Sequence, residues 1–355
     1  NQVKFIIYKI HILFNDIFCD IMNLNKTKTR INRFDNLKGL AIFLIVFGHM
    51  AFTTKFLSVN FFHNFVFIFH LAIFFFVAGY FSKIDLKQPI KIFKRIMIPY
   101  VVVTIVFWIF YLPFGKPSAA IFIYPTYALW FLLALFFMKM ALPILDRLKY
   151  PILISFIIAI FFGFIKYPGD ILGLSRTFSF LPVFLTGFYY NEYKVRFEEK
   201  YSQISLYLKN NKVIFLISLI VFSLSILVAY YIPLRIIMMR LPYHDSYLIS
   251  LNLRALIIVL GIMITLILNR FMTNNECFLT KWGRNSMAIY ILHIFFIVLL
   301  KKFTKSFLYG QGEIFALLFT FILSILIVTI LSMDWISEYF NKIMDFFANL
   351  IFNES

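Results

Sequence analysis

The residue best suited to acid–base chemistry in this sequence is His49, near the end of an apolar stretch that follows Lys38. The two residues are eleven positions apart, close to three helical turns, so they share one helix face about 16 Å apart along the axis. Asp35 lies one turn before Lys38 on that face and can pair with it. Because an imidazole is costly in hydrocarbon, we expect His49 to face a bundle interior or a wet cavity, where it can take a proton near pH 7. The alternative is a packed histidine that bonds to a neighbouring helix.

Two further apolar segments carry polar side chains. His70 should lie at a depth similar to that of His49 on an adjacent helix, where the two can meet; the alternative is a histidine near the interface. Ser286, Tyr290 and His293 are spaced i, i+4 and i+7, so they form one polar stripe on an apolar helix. Such a stripe lines a cavity or bonds to another helix.

Basic residues mark both rims of the chain's apolar segments. One cluster consists of Lys91, Lys94 and Arg95, which can bind phosphates. Without further context, the simpler interpretation is that these residues only set the orientation of the protein in the membrane. Arg176 and Arg254 fall toward the opposite side, where the positive-inside bias disfavours arginine. Arg254 lies about seven residues inside its span, so we predict a polar site there, with snorkelling as the alternative.

Transmembrane helices are the elements that must hold these residues. Of the 355 residues, 62% are hydrophobic, 49 are Phe and only 14% are charged, and the mean hydropathy is +0.88. A soluble domain carries about 25% charged residues and cannot hide so much apolar surface. The apolar runs are continuous, whereas β-barrel strands alternate. We therefore predict an all-α integral membrane protein, a bundle of about ten transmembrane helices.

The hydropathy pattern divides the chain into three parts. These are an N-terminal interfacial or cytoplasmic segment at 1–36, a ten-span domain at 37–333 and an amphipathic C-terminal tail at 334–355. The ten spans lie near 37–53, 64–82, 96–114, 127–145, 150–165, 177–191, 213–232, 247–269, 285–300 and 312–333.

The basic residues give an orientation. With the N-terminus inside, the 34 Lys and Arg residues divide 24 to 10 in favour of the cytoplasmic segments. We predict a multi-pass protein of the cell membrane with both termini in the cytoplasm. The net charge of +18 then reflects topology and contacts with membrane lipids, because the cations form no single stripe of the kind that binds nucleic acid.

Neither cysteine spacing nor glycine-rich motifs indicate a bound cofactor. The chain has two cysteines, Cys19 and Cys277, and no Cys/His spacing typical of a metal site. It also has no phosphate-cradling glycine loop. We predict no metal, no tightly bound cofactor and no nucleic-acid partner.

Five motifs, in order from residue 33 to 293, give the chain a family likeness. They are D-N-L-K-G followed by the Lys38-to-His49 spacing, F-H-L-A-I-F-F-F-V-A-G-Y-F at 69–81, L-W-F-L-L-A-L at 129–135, S-R-T-F-S-F-L-P-V-F-L-T-G-F-Y at 175–189 and G-R-N-S-M-A-I-Y-I-L-H at 283–293. In these motifs the chain resembles the membrane-bound acyltransferase 3 family, and within it the fucose 4-O-acetylase-like group.

The resemblance implies an activity and roles for several residues. Family members are ten-span enzymes that move an acyl group, usually acetyl from acetyl-CoA, to hydroxyls of surface sugars. His49 would match the essential histidine of the first span and Lys38 its basic partner. Lys91, Lys94 and Arg95 would match a cytoplasmic cluster that meets the CoA donor. The sequence departs from many members at Ala78, where they carry Ser.

These roles combine into a mechanism. His49 would act as general base on a carbohydrate or lipid-linked glycan acceptor, and His70 or Tyr290 would orient it or stabilise the oxyanion. Arg176 and Arg254 would hold the acceptor sugar or a pyrophosphate. A covalent acyl-histidine intermediate and a succinyl donor remain open.

Two other functions remain open. One is a transporter or flippase for a lipid-linked polysaccharide precursor, although the chain lacks the internal repeats common in transporters. The other is a structural subunit of a polysaccharide-synthesis complex.

Overall fold

The protein is a bundle of helices. Our computed structural model describes residues 30–51, 57–85, 88–112, 119–125, 128–165, 171–243, 247–308 and 310–352, and within these ranges it contains no strand. The predicted interfacial segment falls mostly on residues 1–29, outside the described residues.

Sixteen α-helices occur in the described ranges. They are α1 (Asn32–Ala51), α2 (Leu57–Tyr80), α3 (Gln88–Ile92), α4 (Ile98–Tyr111), α5 (Trp130–Leu145), α6 (Pro151–Phe161), α7 (Leu174–Phe188), α8 (Tyr190–Lys200), α9 (Ser202–Lys209), α10 (Asn211–Tyr231), α11 (Leu234–Ile237), α12 (Tyr247–Phe271), α13 (Phe278–Arg284), α14 (Ser286–Phe307), α15 (Glu313–Leu331) and α16 (Asp334–Ile351). A π-helical turn, Phe93–Met97, joins α3 to α4.

The predicted membrane bundle is confirmed, and each of the ten predicted spans contains a helix. Among the described residues, seven helices are long and apolar enough to cross a membrane. The pair α13 and α14 makes an eighth if it is one span, although the chain bends by 84° between them. The other two predicted spans correspond to the shorter apolar helices Trp130–Leu145 and Pro151–Phe164. Because a crossing needs about 20 residues, the number ten stays a prediction.

The first helix extends beyond the N-terminal boundary predicted for the ten-span domain. The first helix begins at Asn32, within the segment assigned to the N-terminal part, because Asp35 and Asn36 are buried and form part of the packed helix. The C-terminal tail is the single amphipathic helix α16, whose side chains Phe340, Met344 and Ala348 are buried.

Helix α1 is the central element. It packs against α2, α13, α14 and α15, and most of its residues are buried. Fully buried apolar side chains such as Leu37, Ile42 and Met50 follow its length. A histidine near the end of such a helix must therefore face the protein interior.

Helices α2 and α7 cross in close contact through two glycines. A Cβ atom at Gly79 would meet the backbone oxygen of Phe184, and one at Gly187 would meet that of Phe76. Small residues permit this approach of two backbones, as in many membrane helix pairs. The crossing fixes the position of α7, which carries Arg176, relative to α2, which carries His70.

Candidate active site

A cavity of about 550 Å³ lies between α1, α2, α7 and α14 at the end of α1 that carries His49. We call this the His49 end of the bundle, and the opposite end of α1 the Lys38 end. The volume falls in the range of small-molecule sites. Polar side chains from separate elements line it: His49, His63, His70, Tyr124, Arg176, Arg240, Tyr290 and Lys301. Its apolar lining includes Ile45, Phe67, Trp130, Phe180 and Ile294.

His49 is half-buried in the cavity wall and sits among aromatic rings. The Phe67 ring meets it edge-on at 6.1 Å between ring centroids. The His293 ring lies 5.5 Å from it, inclined by 34°. The first span and the polar stripe of α14 therefore come together at this point.

Backbone bonds fix the orientation of the two neighbouring histidines. Nδ1 of His70 lies 2.7 Å from the carbonyl oxygen of Val66, and Nδ1 of His293 lies 3.0 Å from that of Ile289. A carbonyl oxygen only accepts hydrogen bonds, so Nδ1 carries the proton in both rings. In the neutral ring Nε2 then holds a lone pair. Nε2 of His293 is buried and finds no hydrogen-bond partner among the described residues.

Tyr290 ties the cavity wall to the start of α5. Its buried hydroxyl donates to the carbonyl oxygen of Ala128 in a short hydrogen bond. Two residues later Trp130 lies under Arg176, with 3.9 Å between the guanidinium carbon and the ring centroid. A hydroxyl proton engaged in this way cannot also stabilise an oxyanion, so the structure favours a positioning role for Tyr290.

Ser286 is not among the residues that line the cavity. The helical periodicity of Ser286, Tyr290 and His293 is present, but Ser286 begins α14 at the sharp bend, a turn away from Tyr290. At the bend, the Asn285 side chain donates to the Ser332 carbonyl oxygen at 2.8 Å and to Asp334 Oδ1 at 3.1 Å. The bond from Asn285, together with Lys281 at 3.2 Å, holds the pKa of the Asp334 carboxyl below its ordinary value.

Arg254 is buried as a polar residue, but it lies behind the cavity and does not line it. Its guanidinium donates to Ser175 Oγ at 3.0 Å and to the Met239 carbonyl oxygen at 2.8 Å. Because Arg254 is not among the described residues that line the cavity, its direct binding of the acceptor stays a prediction. Because a carbonyl and a hydroxyl already bind it, its contacts brace the two chain segments that precede Arg176 and Arg240.

Lys38 lies at the opposite end of α1 from the cavity. It forms the predicted pair with Asp35, at 2.8 Å, and Arg30 also contacts that carboxylate. The predicted shared helix face is real, but three helical turns separate Lys38 from His49, so Lys38 cannot touch a group bound at the histidine.

The D-N-L-K-G motif has a local structural role. The buried Asn36 side chain donates to the carbonyl oxygens of Thr273 and Asn275 at 2.9 and 3.0 Å, and it accepts from Thr280 at 2.5 Å. These bonds attach the start of α1 to the segment that leads into α13.

The basic cluster Lys91, Lys94 and Arg95 does not line the cavity. It lies on α3 and the π-helical turn. Lys91 is exposed and 3.9 Å from Asp85, and the Lys94 ammonium lies 5.2 Å from the ring centroid of Phe352, at the end of α16. π-Helical turns are often found at functional sites.

A half-buried lysine that the sequence analysis missed lies next to this cluster. Lys139 on α5 donates to Ser82 Oγ at 2.7 Å, and Ser82 donates to the Ala78 carbonyl oxygen at 2.7 Å. Its charge interacts with that of Arg95. The ring of Tyr80, two residues before Ser82, packs on Phe34 near the start of α1, so this group belongs to the Lys38 end. The sequence feature that could have indicated Lys139 is a lysine within an otherwise apolar helix.

Sequence analysis also missed four polar residues of the cavity lining, namely His63, Tyr124, Arg240 and Lys301. His63 lies seven positions before His70, on the same face of α2, and this spacing was readable from the sequence. Arg240 and Lys301 fall in stretches assigned to loops, and only the folded chain brings them to the cavity.

Comparison with known proteins identifies the family. No curated protein and no solved structure matches the chain significantly. A family model described as an acyltransferase domain matches residues 31–333, from the start of α1 to the end of α15 and thus most of the sequence. With its apolar helical bundle and a histidine-lined cavity, the chain belongs to the acyltransferase 3 family of membrane acyltransferases.

Proposed function

We propose that this acyltransferase transfers an acetyl group from acetyl-CoA to a hydroxyl of a cell-surface or lipid-linked carbohydrate. The observation that carries the proposal is the cavity at the His49 end, where one histidine meets a space large enough for a sugar. Acetyl-CoA acts as a substrate, with no resident cofactor. The proposal places the protein in the cell membrane with both termini in the cytoplasm.

His49 acts as the general base. A sugar hydroxyl is a weak nucleophile, so His49 takes its proton as the oxygen attacks the thioester carbonyl carbon. The tetrahedral intermediate collapses with cleavage of the carbon–sulfur bond, and the proton on His49 passes to the leaving thiolate. The products are the acetyl ester and free CoA.

His293 is the partner that best fits the orientation of His49. Its Nδ1–H is held by Ile289, and the lone pair on its buried Nε2 faces no other acceptor or donor among the described residues. The ring nitrogen of His49 that lies nearer to His293 can donate its proton to this lone pair. The other nitrogen of His49 is then free to accept the proton of the sugar hydroxyl. Tyr290 acts as a positioning residue through Ala128.

The donor reaches the site from the Lys38 end. Lys91, Lys94, Arg95 and Lys139 supply positive charge there for the phosphates of CoA. Lys38 lies at the same end, about 16 Å along α1 from His49. The flexible arm of CoA that ends in the thioester has to cover this distance inside the bundle.

The test is acetyl transfer by the purified protein in lipid nanodiscs. We expect His49→Gln to lower kcat by about 10²- to 10⁴-fold, the usual contribution of a general base. The readouts are CoA thiol release and mass spectrometry of the carbohydrate. His293→Gln should lower kcat less and shift its pH profile, because the orienting group is replaced rather than the base.

The matched control is Lys194→Gln, which removes an exposed charge from α8, a helix that contributes no residue to the described cavity lining. It should keep full activity. Retention of acetyl transfer by His49→Gln protein with an unchanged thermal midpoint would refute the base assignment. Transport of a lipid-linked glycan without any acetyl-CoA turnover would instead support the transporter.

A further inference from the structure

Helix α16 lies beyond the residues that the family model matches. The match ends at residue 333, and α16 spans Asp334–Ile351. The helix packs against α4 and α14, and it buries Phe340, Met344 and Ala348. These three side chains are four positions apart, so they form one stripe that fixes the rotation of α16 about its own axis.

Both ends of α16 contact elements that the proposed reaction uses. At its start, the Asn285 side chain donates to Asp334 Oδ1 at 3.1 Å, at the bend where α14 begins. Directly after its end, the ring of Phe352 contacts the π-helical turn that carries Lys94 and Arg95. The helix therefore connects a wall of the cavity to the basic cluster.

The π-helical turn has less support of its own than a regular helix. The N–H of Ile98 donates to the carbonyl oxygen of Phe93, five residues back. The next residue, Pro99, has no N–H and cannot donate to the carbonyl oxygen of Arg95, four residues back. Because the regular pattern of helical bonds is interrupted here, the direction of the side chains on the turn depends on contacts with neighbouring elements.

Aromatic rings supply these contacts. The Phe93 ring contacts two others, with centroid distances of 6.2 Å to Phe136 on α5 and 5.7 Å to Phe352. The Lys94 ammonium lies 5.2 Å from the centroid of the Phe352 ring, within the range of a cation–π contact. Lys139 follows Phe136 on α5 by about one helical turn. The rings thus join the turn both to α16 and to the helix of the half-buried lysine.

We propose that α16 is a strap that holds the donor-binding turn in place, and that Phe352 is a positioning residue for Lys94. The ring contacts one side of the ammonium, which has three N–H donors, so donors remain for a phosphate oxygen of CoA. A lysine side chain that is already ordered loses less conformational freedom when the donor binds. This inference rests on the proposed function, in which the CoA phosphates meet Lys94, and it adds a residue that sets the affinity for the donor.

The test measures the KM for acetyl-CoA of Phe352 variants in lipid nanodiscs. We expect Phe352→Leu to raise this KM about two- to fivefold, the usual contribution of a cation–π contact at an exposed site. Leucine keeps an apolar contact with Phe93 but has no aromatic face. Phe352→Tyr keeps the ring and should retain the wild-type KM. Neither variant should change kcat, because the ring does not touch the reacting atoms.

A double-mutant cycle shows whether Phe352 acts through Lys94. Lys94→Gln removes the charge and should raise the KM for acetyl-CoA by about tenfold. In that background Phe352→Leu should have no further effect, because no cation is left for the ring to hold. Independent effects of the two substitutions, which multiply in the double variant, would overturn the proposal.

Tyr339→Leu is the matched control. Tyr339 lies on the same helix, more than three helical turns before its end. The Lys342 ammonium lies 5.6 Å from the centroid of its ring, so the variant removes a similar cation–π contact away from the π-helical turn. It should keep the wild-type KM. A rise in KM equal to that of Phe352→Leu would show a general effect of α16 and would contradict the role of Phe352.

Binding of CoA separates this inference from the proposed function. Isothermal titration calorimetry of the nanodisc protein with CoA requires neither an acceptor nor an acyl group. If Phe352→Leu weakens CoA binding about two- to fivefold while no carbohydrate is acetylated, the strap stands and the acetyl-transfer function falls. If acetyl transfer occurs while wild type, Lys94→Gln and Phe352→Leu bind CoA equally, the function stands and the strap falls.

Discussion

At the scale of single residues, position in the fold decides what each polar group does. Arg176 and Arg254 are both buried arginines on helices, yet one lines the cavity and the other braces its wall. The charge count alone places both on one side of the membrane. Only the contacts of Arg254 with Ser175 and Met239 separate the two roles.

The same scale gives a prediction for Asp334. Its pKa is lowered in the folded protein by Asn285 and Lys281, so the carboxylate contributes stability above its unfolded pKa of about 4. That contribution is lost as the pH falls through the lower, folded value. Asp334→Asn should therefore reduce the thermal midpoint slightly at pH 7, and the gap to wild type should close on acidification toward pH 3.

Thermal unfolding of the purified protein, followed by tryptophan fluorescence, measures this gap. Because Asp334 is exposed, high salt should also narrow it. If the difference in thermal midpoint between Asp334→Asn and wild type widened on acidification, the lowered pKa of Asp334 would be contradicted.

At the scale of elements, hydropathy was sufficient to place a helix within each of the ten predicted spans, although not the short helices between them. Continuous apolar runs identify helices without tertiary information, and the spacing of Tyr290 and His293 gave their common face. The bend at Asn285 was not predictable, because Asn is compatible with a helix and its partners, Ser332 and Asp334, lie about fifty residues away. The roles of Arg240 and Lys301 were hidden for the same reason.

The crossing of α2 and α7 gives the prediction at this scale. Gly187→Ala would place a Cβ against the backbone oxygen of Phe76, where no side chain can move aside. We expect a destabilisation of roughly 1–3 kcal/mol, the usual effect of overpacking, and a loss of activity as Arg176 moves relative to His70.

Gly312→Ala is the control, because a Cβ there has nothing within 4 Å. It should change the thermal midpoint much less than Gly187→Ala. Equal midpoints for the two variants would show that the crossing tolerates separation.

At the scale of the whole molecule, the polar groups form two separate sites. The cavity lies at the His49 end, which is the acceptor side in the proposed mechanism. The donor side is the Lys38 end, where the basic residues are Lys91, Lys94, Arg95 and Lys139. The family motifs allowed this division to be predicted from sequence. The spacing of Lys38 and His49 along one helix had already placed the two residues at different depths.

Donor kinetics test this division. Lys94→Gln and Arg95→Gln should each raise KM for acetyl-CoA about tenfold and leave KM for the acceptor unchanged. With acetyl N-acetylcysteamine, a thioester without phosphates, the variants and wild type should have the same KM. A matching rise with this short donor would place the two residues at the thioester rather than at the phosphates.

The brace formed by Arg254 has a consequence for how such enzymes diversify. One residue outside the cavity sets the spacing of Arg176 and Arg240, so an inherited change at position 254 would alter both arginines at once. New specificity could then arise without any change in the residues that touch the substrate. Across the family, acceptor preference should follow position 254 as closely as it follows the cavity lining.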